Sequence, residues 1–390
     1  MKLKKLLFKS SPLFIILAAV LVFFWPVWLQ NKVPLPGDFV VGVYFPWLDY
    51  KWGYEVVVPV KNPIMADVVS FTYPVQTLAV DLLKKGEWPL WNPYILGGTP
   101  LLANFQSAPF SPTNFVYSLF DKLTGWSIQI ILQHVLAAIF TFILLRHWKV
   151  SKFGSIFGGL IFAFSGFNLL WSQWSGHALA AAFIPLLLFF EDKWLSTRKI
   201  RFGIGISVVL TLQILSGYPQ VIFYTVIAMG LLWVFRIIGD KKWVVKTLLL
   251  GGFGVLGLGL AAFQILPGTE LLSLSQREVE PHPFEWAFFP WSKVITFLAP
   301  DYFGNHATQN YWGPQDYTSN TGFVGVVAIV LAGLSLILWR KVLPIQFAIL
   351  LLIISFLFAS LRALFHCRQI KFTSNSPSSS LMSLTSPPIV

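Results

Sequence analysis

The sequence predicts an all-α, polytopic transmembrane helical protein of about nine spans, N-terminus cytoplasmic, with two large outer loops carrying amphipathic, interfacial helices. Three observations predict it. Of 390 residues, 56% are hydrophobic and only 11% charged, against about 25% charged in soluble domains. Apolar runs of membrane-crossing length recur along the chain. The basic residues collect in alternate connections, as the positive-inside rule requires.

Hydropathy places spans near 12–29, 126–145, 153–171, 178–190, 203–218, 220–236, 246–266, 321–339 and 343–361. The first has the basic start and apolar run of a signal peptide, but Pro26 and the bulky WPVWLQ end lack a small-residue cleavage site, so an uncleaved helix is expected. The inner side then holds 17 Lys and Arg and three acids (Glu191, Asp192, Asp240), the outer side eight basic residues and 13 acids. The net charge of +12 is therefore a topology signal and not a nucleic-acid footprint. Cys367 is the sole cysteine, so no disulfide framework orders the outer loops, 30–125 and 267–320.

In the first outer loop, Asp67 opens a segment whose Phe71, Val75, Leu78 and Leu82 recur at helical spacing. A loop helix over 67–85 is expected, closed by Lys84-Lys85-Gly86. PLWNPY and GGTPLLANFQ follow. Their prolines and glycines would leave backbone groups unpaired in lipid, so this stretch reads as a rigid interfacial lip holding a carboxylate. Asp38…Tyr44…Pro46-Trp47 echoes Asp67…Tyr73-Pro74, giving a second acid in a similar setting. An arbitrary loop aspartate is ordinarily just solvated; the ordered aromatic and proline-rich company distinguishes these two.

The second span carries Gln129, Gln133 and His134, and a lone histidine there usually bonds a neighbouring helix. The outer turns WSQWSGHA and SGYPQ bring His177 to the surface of the first loop, and most tryptophans read as the interfacial aromatic belt. Gly252, Gly254 and Gly257 match G-x-G-x-x-G inside an apolar span with no preceding strand, so close helix packing replaces the nucleotide reading. The second outer loop holds six acids, Arg277, Lys293, His282 and His306; Arg277 is an ion-pair partner or a phosphate clamp. After 361 the chain turns polar and Ser/Pro-rich; the 362–390 tail is expected to be disordered or frameshift-derived, marking a truncated product.

Asp67…Tyr73-Pro74 followed by GEWPLWNPYILGGTPLLANFQSAPFSPTN resembles the bacterial YfhO-like membrane proteins, which are similar to GT-C polytopic glycosyltransferases. The resemblance continues through LSLSQREVE and FLAPDYFGN to YTSNTGFVGV, covering roughly residues 1–360 of a transmembrane domain expected over 1–361. It implies a plasma-membrane enzyme, active outside the cytoplasm, that moves a sugar from a polyprenyl-phosphate donor to a cell-envelope acceptor, a polysaccharide or teichoic-acid-like polymer. On that resemblance Asp67 takes the catalytic carboxylate position, with Asp38 second. Arg277, His177, Trp91, Asn92, Asn104, Gln106 and Asp301 are candidates for binding substrate.

A sugar phosphate already carries a good leaving group, so such an enzyme needs a base for the acceptor hydroxyl and a positive group for the departing phosphate. No His/Cys/Asp cluster has metal-ligand spacing, although one or two carboxylates can hold Mg²⁺ or Mn²⁺ weakly. The rivals are a transporter or flippase for a lipid-linked substrate and a non-catalytic envelope-assembly scaffold. A transporter should carry ionisable groups inside its spans, and no Asp, Glu, Lys or Arg lies well inside a span here.

Overall fold

The fold was obtained as a computed structural model, which describes residues 2–275, 290–314, 316–337, 345–355 and 357, with side chains from Ser11 onward apart from residue 320. Helices dominate the described residues. They run α1 (Lys2–Phe23), α2 (Trp25–Leu29), α3 (Gly37–Val43), α4 (Tyr73–Lys84), α5 (Lys122–His147), α6 (Lys152–Ala163), α7 (Gly166–Trp171) and α8 (Gly176–Thr197). Then follow α9 (Ile200–Leu215), α10 (Pro219–Ile237), α11 (Trp243–Leu260), α12 (Ala262–Ser273), α13 (Val326–Ser335) and α14 (Ile345–Ser355). Three of these, α5, α10 and α11, are long and apolar enough to cross a membrane. α6 with 166–174 makes a fourth candidate, bent by 47°.

Helix boundaries follow local chemistry. Asp121 caps α5 by accepting from the backbone N–H groups of Leu123 and Thr124, at 3.0 and 3.1 Å. Ser151 caps α6 through Gly154 N, 3.1 Å. The first expected span divides at Phe24, just before Pro26 fixes the start of α2. The α6–α7 break has a packing cause: the Gly166 N–H donates to Phe323 O at 2.7 Å, and a Cβ there would lie 2.7 Å from Thr321 O. The expected span at 246–266 divides at Ala261 into α11 and α12.

α8 is the hub, packed against α5, α9 and α10. Its Leu179, Phe183, Leu187 and Trp194 join Ile206, Val209, Leu210 and Ile214 of α9 and Phe253 of α11 in one buried cluster. Ala137 and Ala138 of α5, Ile156 and Ala163 of α6, Ala182 of α8 and Ile16 of α1 form a second. Small side chains permit that second seam. A Cβ on Gly159 would stand 2.5 Å from Ala138 O, so α5 and α6 meet at backbone distance. In the G-x-G-x-x-G stretch only Gly257 meets a neighbour this way, with a Cβ 2.9 Å from Ser207 O. Gly252 and Gly254 face open space, so the packing reading holds for one glycine of three.

The expected loop helix over 67–85 is present as a continuous helical run over 66–84. Val68–Thr72 form a π-helical turn, and α4 begins at Tyr73 with Pro74 in its first turn. Its expected apolar face is present: Val75 is buried with Ala79 and Leu101, and Phe71, Leu78 and Leu82 pack around them. The lip contains a two-residue antiparallel ladder, β1 (Trp91–Asn92) with β2 (Thr99–Pro100). Gly98, at φ +124°, is required there, because a Cβ would lie 2.5 Å from the Trp91 ring. The 362–390 tail lies outside the described residues.

Candidate functional site

The lip is fastened to one end of the helical body by hydrogen bonds to its own backbone. Gln76 of α4 donates to Gln106 O at 3.1 Å and accepts from Ser175 Oγ at 2.9 Å, just before α8 begins. Gln264 of α12 donates to Leu102 O at 2.7 Å. Just past the lip, Gln129 of α5 bonds side chains instead: it accepts from Tyr117 OH at 2.8 Å and donates to Thr113 Oγ1 and Asn114 Oδ1, at 2.9 and 3.2 Å. All three glutamines are at most 1% exposed. Non-repetitive backbone can be buried only if its carbonyls find such donors.

Asp67 sits where the lip meets this end. Its Oδ1 accepts from Trp174 Nε1 at 2.8 Å, across 107 positions of chain. Trp174 is buried in a cluster with Met65, Val68, Trp126 and Ile130. Partial burial holds the Asp67 carboxyl above the ordinary 3.8, while the Trp174 indole and the backbone N–H groups of Asp67 and Val68 pull it down. The result is a carboxylate aimed by a rigid donor on a residue that is itself exposed to solvent. Neighbouring Tyr73 stands edge-on to Trp126, ring centres 5.2 Å apart, and burial raises its phenol.

His177 lies beside this pair. Its ring is stacked between Trp171, at 4.9 Å, and Tyr218, at 3.5 Å. It is buried, and its Nδ1 has no partner. The structure thus gathers Asp67, Trp174, Trp171, His177 and Tyr218 at one place. Trp174 is the residue that sequence reasoning missed, having been grouped with the aromatic belt.

Asp38 has different work. Its Oδ2 accepts from the Lys61 N–H at 2.9 Å, tying the 56–61 stretch to α3, and α3 packs against the 68–72 turn. The lip candidates hold the lip itself. Asn92 is buried and accepts from Tyr94 N at 3.0 Å; Asn104 accepts from Gln106 N at 3.0 Å; Trp91 covers Gly98; Gln106 offers its carbonyl to Gln76.

In the second loop, Asp301 accepts from Asn305 Nδ2 at 2.9 Å and from Tyr317 OH at 2.8 Å. Lys293 is 1% exposed, donates to Tyr311 OH and lies over the rings of Phe303 and Tyr311. Burial lowers its ammonium, with Asp316 opposing. Asn62 donates to Thr318 Oγ1 at 2.9 Å, so the two loops touch. Arg277 lies outside the described residues.

Among the described residues no three His, Cys, Asp or Glu group as a metal site would require. The described donors at Asp67 and Asp38 are N–H groups, which leaves this donor set a poor fit for Mg²⁺ or Mn²⁺.

His134 matches its expectation: Nδ1 lies 2.7 Å from Ala163 O, and the ring rests against Phe24 and Phe164. The expectation for acids needs correcting. Glu191 and Asp192 are not in a solvated inner loop. They lie within α8, 0% and 1% exposed, because α8 runs on to Thr197 past the expected 178–190 span.

No known protein family, characterised protein or solved structure matches the chain.

Proposed function

We propose that the chain is a multi-pass plasma-membrane glycosyltransferase of GT-C type, YfhO-like in its lip sequence. It transfers a sugar from a polyprenyl-phosphate donor to an envelope acceptor outside the cytoplasm. The observation that carries this reading is the Asp67–Trp174 hydrogen bond of 2.8 Å at the junction of the lip and the helical body. A base for an acceptor hydroxyl must be held in one orientation and must have a carboxyl less acidic than usual. Asp67 has both properties. In this reading its free oxygen takes the acceptor proton as the new glycosidic bond forms and the polyprenyl phosphate departs. In the same reading Arg277 meets the phosphate charge.

The test is Asp67→Asn, in membranes supplied with a polyprenyl-phosphate sugar. The amide still accepts from Trp174 through its carbonyl oxygen but cannot take a proton. Transfer should fall by about 10²–10⁴-fold, the usual contribution of a general base, with expression and thermal stability retained. Equal turnover in the variant defeats the assignment.

The flippase reading gains one observation, the buried Glu191 in α8, since ionisable groups within helices are what carriers use. Movement of labelled lipid across vesicles, without a transfer product, would select it.

A further inference from the structure

Glu191 is the most anomalous group among the described residues. Its side chain is fully buried, and neither carboxyl oxygen has a hydrogen-bond partner. The adjacent acid shows the opposite pattern. Asp192 Oδ2 accepts from His147 Nε2 at 3.0 Å, Trp148 Nε1 at 2.9 Å and Arg236 Nη2 at 2.8 Å, and its Oδ1 lies 2.5 Å from Arg236 Nε. The donors that α5 and α10 bring here are thus spent on Asp192. One helical turn either way from Glu191 stand Leu187, Leu188, Trp194 and Leu195, all buried; the outer face of Trp194 carries the Arg198 guanidinium, 4.8 Å from the ring centre.

The charged and titratable groups of every packed element are accounted for. α5 presents Arg146, bonded to Val150 O, and His147, on Asp192; its Lys122 and His134 lie further back, on Asp81 and Ala163 O. α10 presents Arg236, also on Asp192, and near its other end Tyr224, which accepts from Gln220. α9 presents only Arg201, laid over Phe202 at its exposed start. α7 has none. α8 itself adds His177 at its other end, Asp192, Lys193, whose ammonium lies over Phe202, and at its C-cap Arg198, laid over Trp194. No described cation offsets Glu191, and Asp192 adds a like charge beside it.

We propose that Glu191 is a proton-binding site. An unpaired carboxylate in an apolar setting costs far more than its neutral acid, so the group takes up a proton in the folded protein. A metal ion does not suit the place. Ca²⁺ or Mg²⁺ needs about six oxygen ligands, and only Asp192, already engaged, is adjacent.

The exchange is Glu191–COO⁻ plus H⁺ giving Glu191–COOH, with no other reactant. Ionised Glu191 would compete with Asp192 for Arg236 and His147. Proton occupancy therefore sets how firmly α5, α8 and α10 are tied at this end. α8 starts beside Gln76 and the lip, fifteen residues and roughly 22 Å away along its axis at 1.5 Å per residue. This inference is independent of the glycosyltransferase reading.

The test is infrared spectroscopy of the full chain in lipid nanodiscs, stepped through pH. Wild type at neutral pH should show the C=O stretch of a buried, protonated carboxyl, fading as the pH becomes alkaline. Glu191→Gln should lose that band, and Glu191→Asp, which keeps an acid, should shift it. Thermal melts supply a second reading. The neutral amide escapes the cost of ionisation, so Glu191→Gln should outlast wild type by a margin that widens as pH rises. A wild type without the band at neutral pH, a band unchanged in Glu191→Gln, or a margin independent of pH overturns the proposal.

Discussion

The indole of Trp174 makes one hydrogen bond, and that bond orients Asp67. Its removal should be readable without abolishing the fold. Trp174→Phe keeps an aromatic ring in tilted contact with Trp171 and deletes the donor. The indole favours the charged carboxylate, so its loss raises the Asp67 carboxyl further above 3.8. Under the proposed mechanism the acid limb of a pH–rate profile should move to higher pH. An unmoved limb would separate Asp67 from the rate. At Asp192 the expectation concerns stability. Asp192→Ala strands Arg236 and His147, and breaking a buried pair from one side costs about 3–5 kcal/mol. Chemical denaturation of the purified chain checks this.

The lip and α8 form one mechanical unit because Gln76 is shared between Gln106 O and Ser175 Oγ. Gln76→Leu leaves both without that partner, at about 1–3 kcal/mol for each buried group left unsatisfied. Limited proteolysis should then cut within 86–107 before the helical body. Gly217 is the second fastening. It sits at φ +89°, and an added Cβ would be 2.3 Å from Phe105 O. Gly217→Ala should destabilise by about 1–3 kcal/mol, from backbone strain alone, and loosen the same segment in the same assay. Digestion matching wild type in both variants would show that the lip is held elsewhere.

Across the whole molecule, what could be read in advance followed from chemistry that acts locally. α5 and α10 were legible because long apolar runs with Asp121 before one and Pro219 opening the other leave few alternatives. The α4 face was legible from Val75, Leu78 and Leu82. The bend between α6 and α7 was not, because its cause is Phe323, over 150 positions away. The continuation of α8 was hidden by Glu191 and Asp192, whose charge ends a hydropathy window although Asp192 is neutralised by side chains from α5 and α10. Asp67 stood out by its setting. Trp174 did not, since one indole among 17 tryptophans carries no mark of what it will donate to. The expected topology is itself testable. In a Cys367→Ser background, single cysteines within 86–98 should react with an impermeant maleimide added outside intact cells, and cysteines replacing Lys241 or Lys242 should not. The reverse pattern would invert the proposed orientation.

The widened turn at Val68–Thr72 has a consequence of its own. A π-helical turn holds an additional residue, and each residue swings an α-helix by about 100°. The azimuth of Asp67 relative to the anchored face of α4 therefore depends on chain length more than on side-chain identity. Excising Ser70, whose side chain merely caps Ala66 O, would let the turn relax to ordinary winding. Asp67 would then be carried round the barrel of the helix, away from its indole, with every chemically active atom still in the protein.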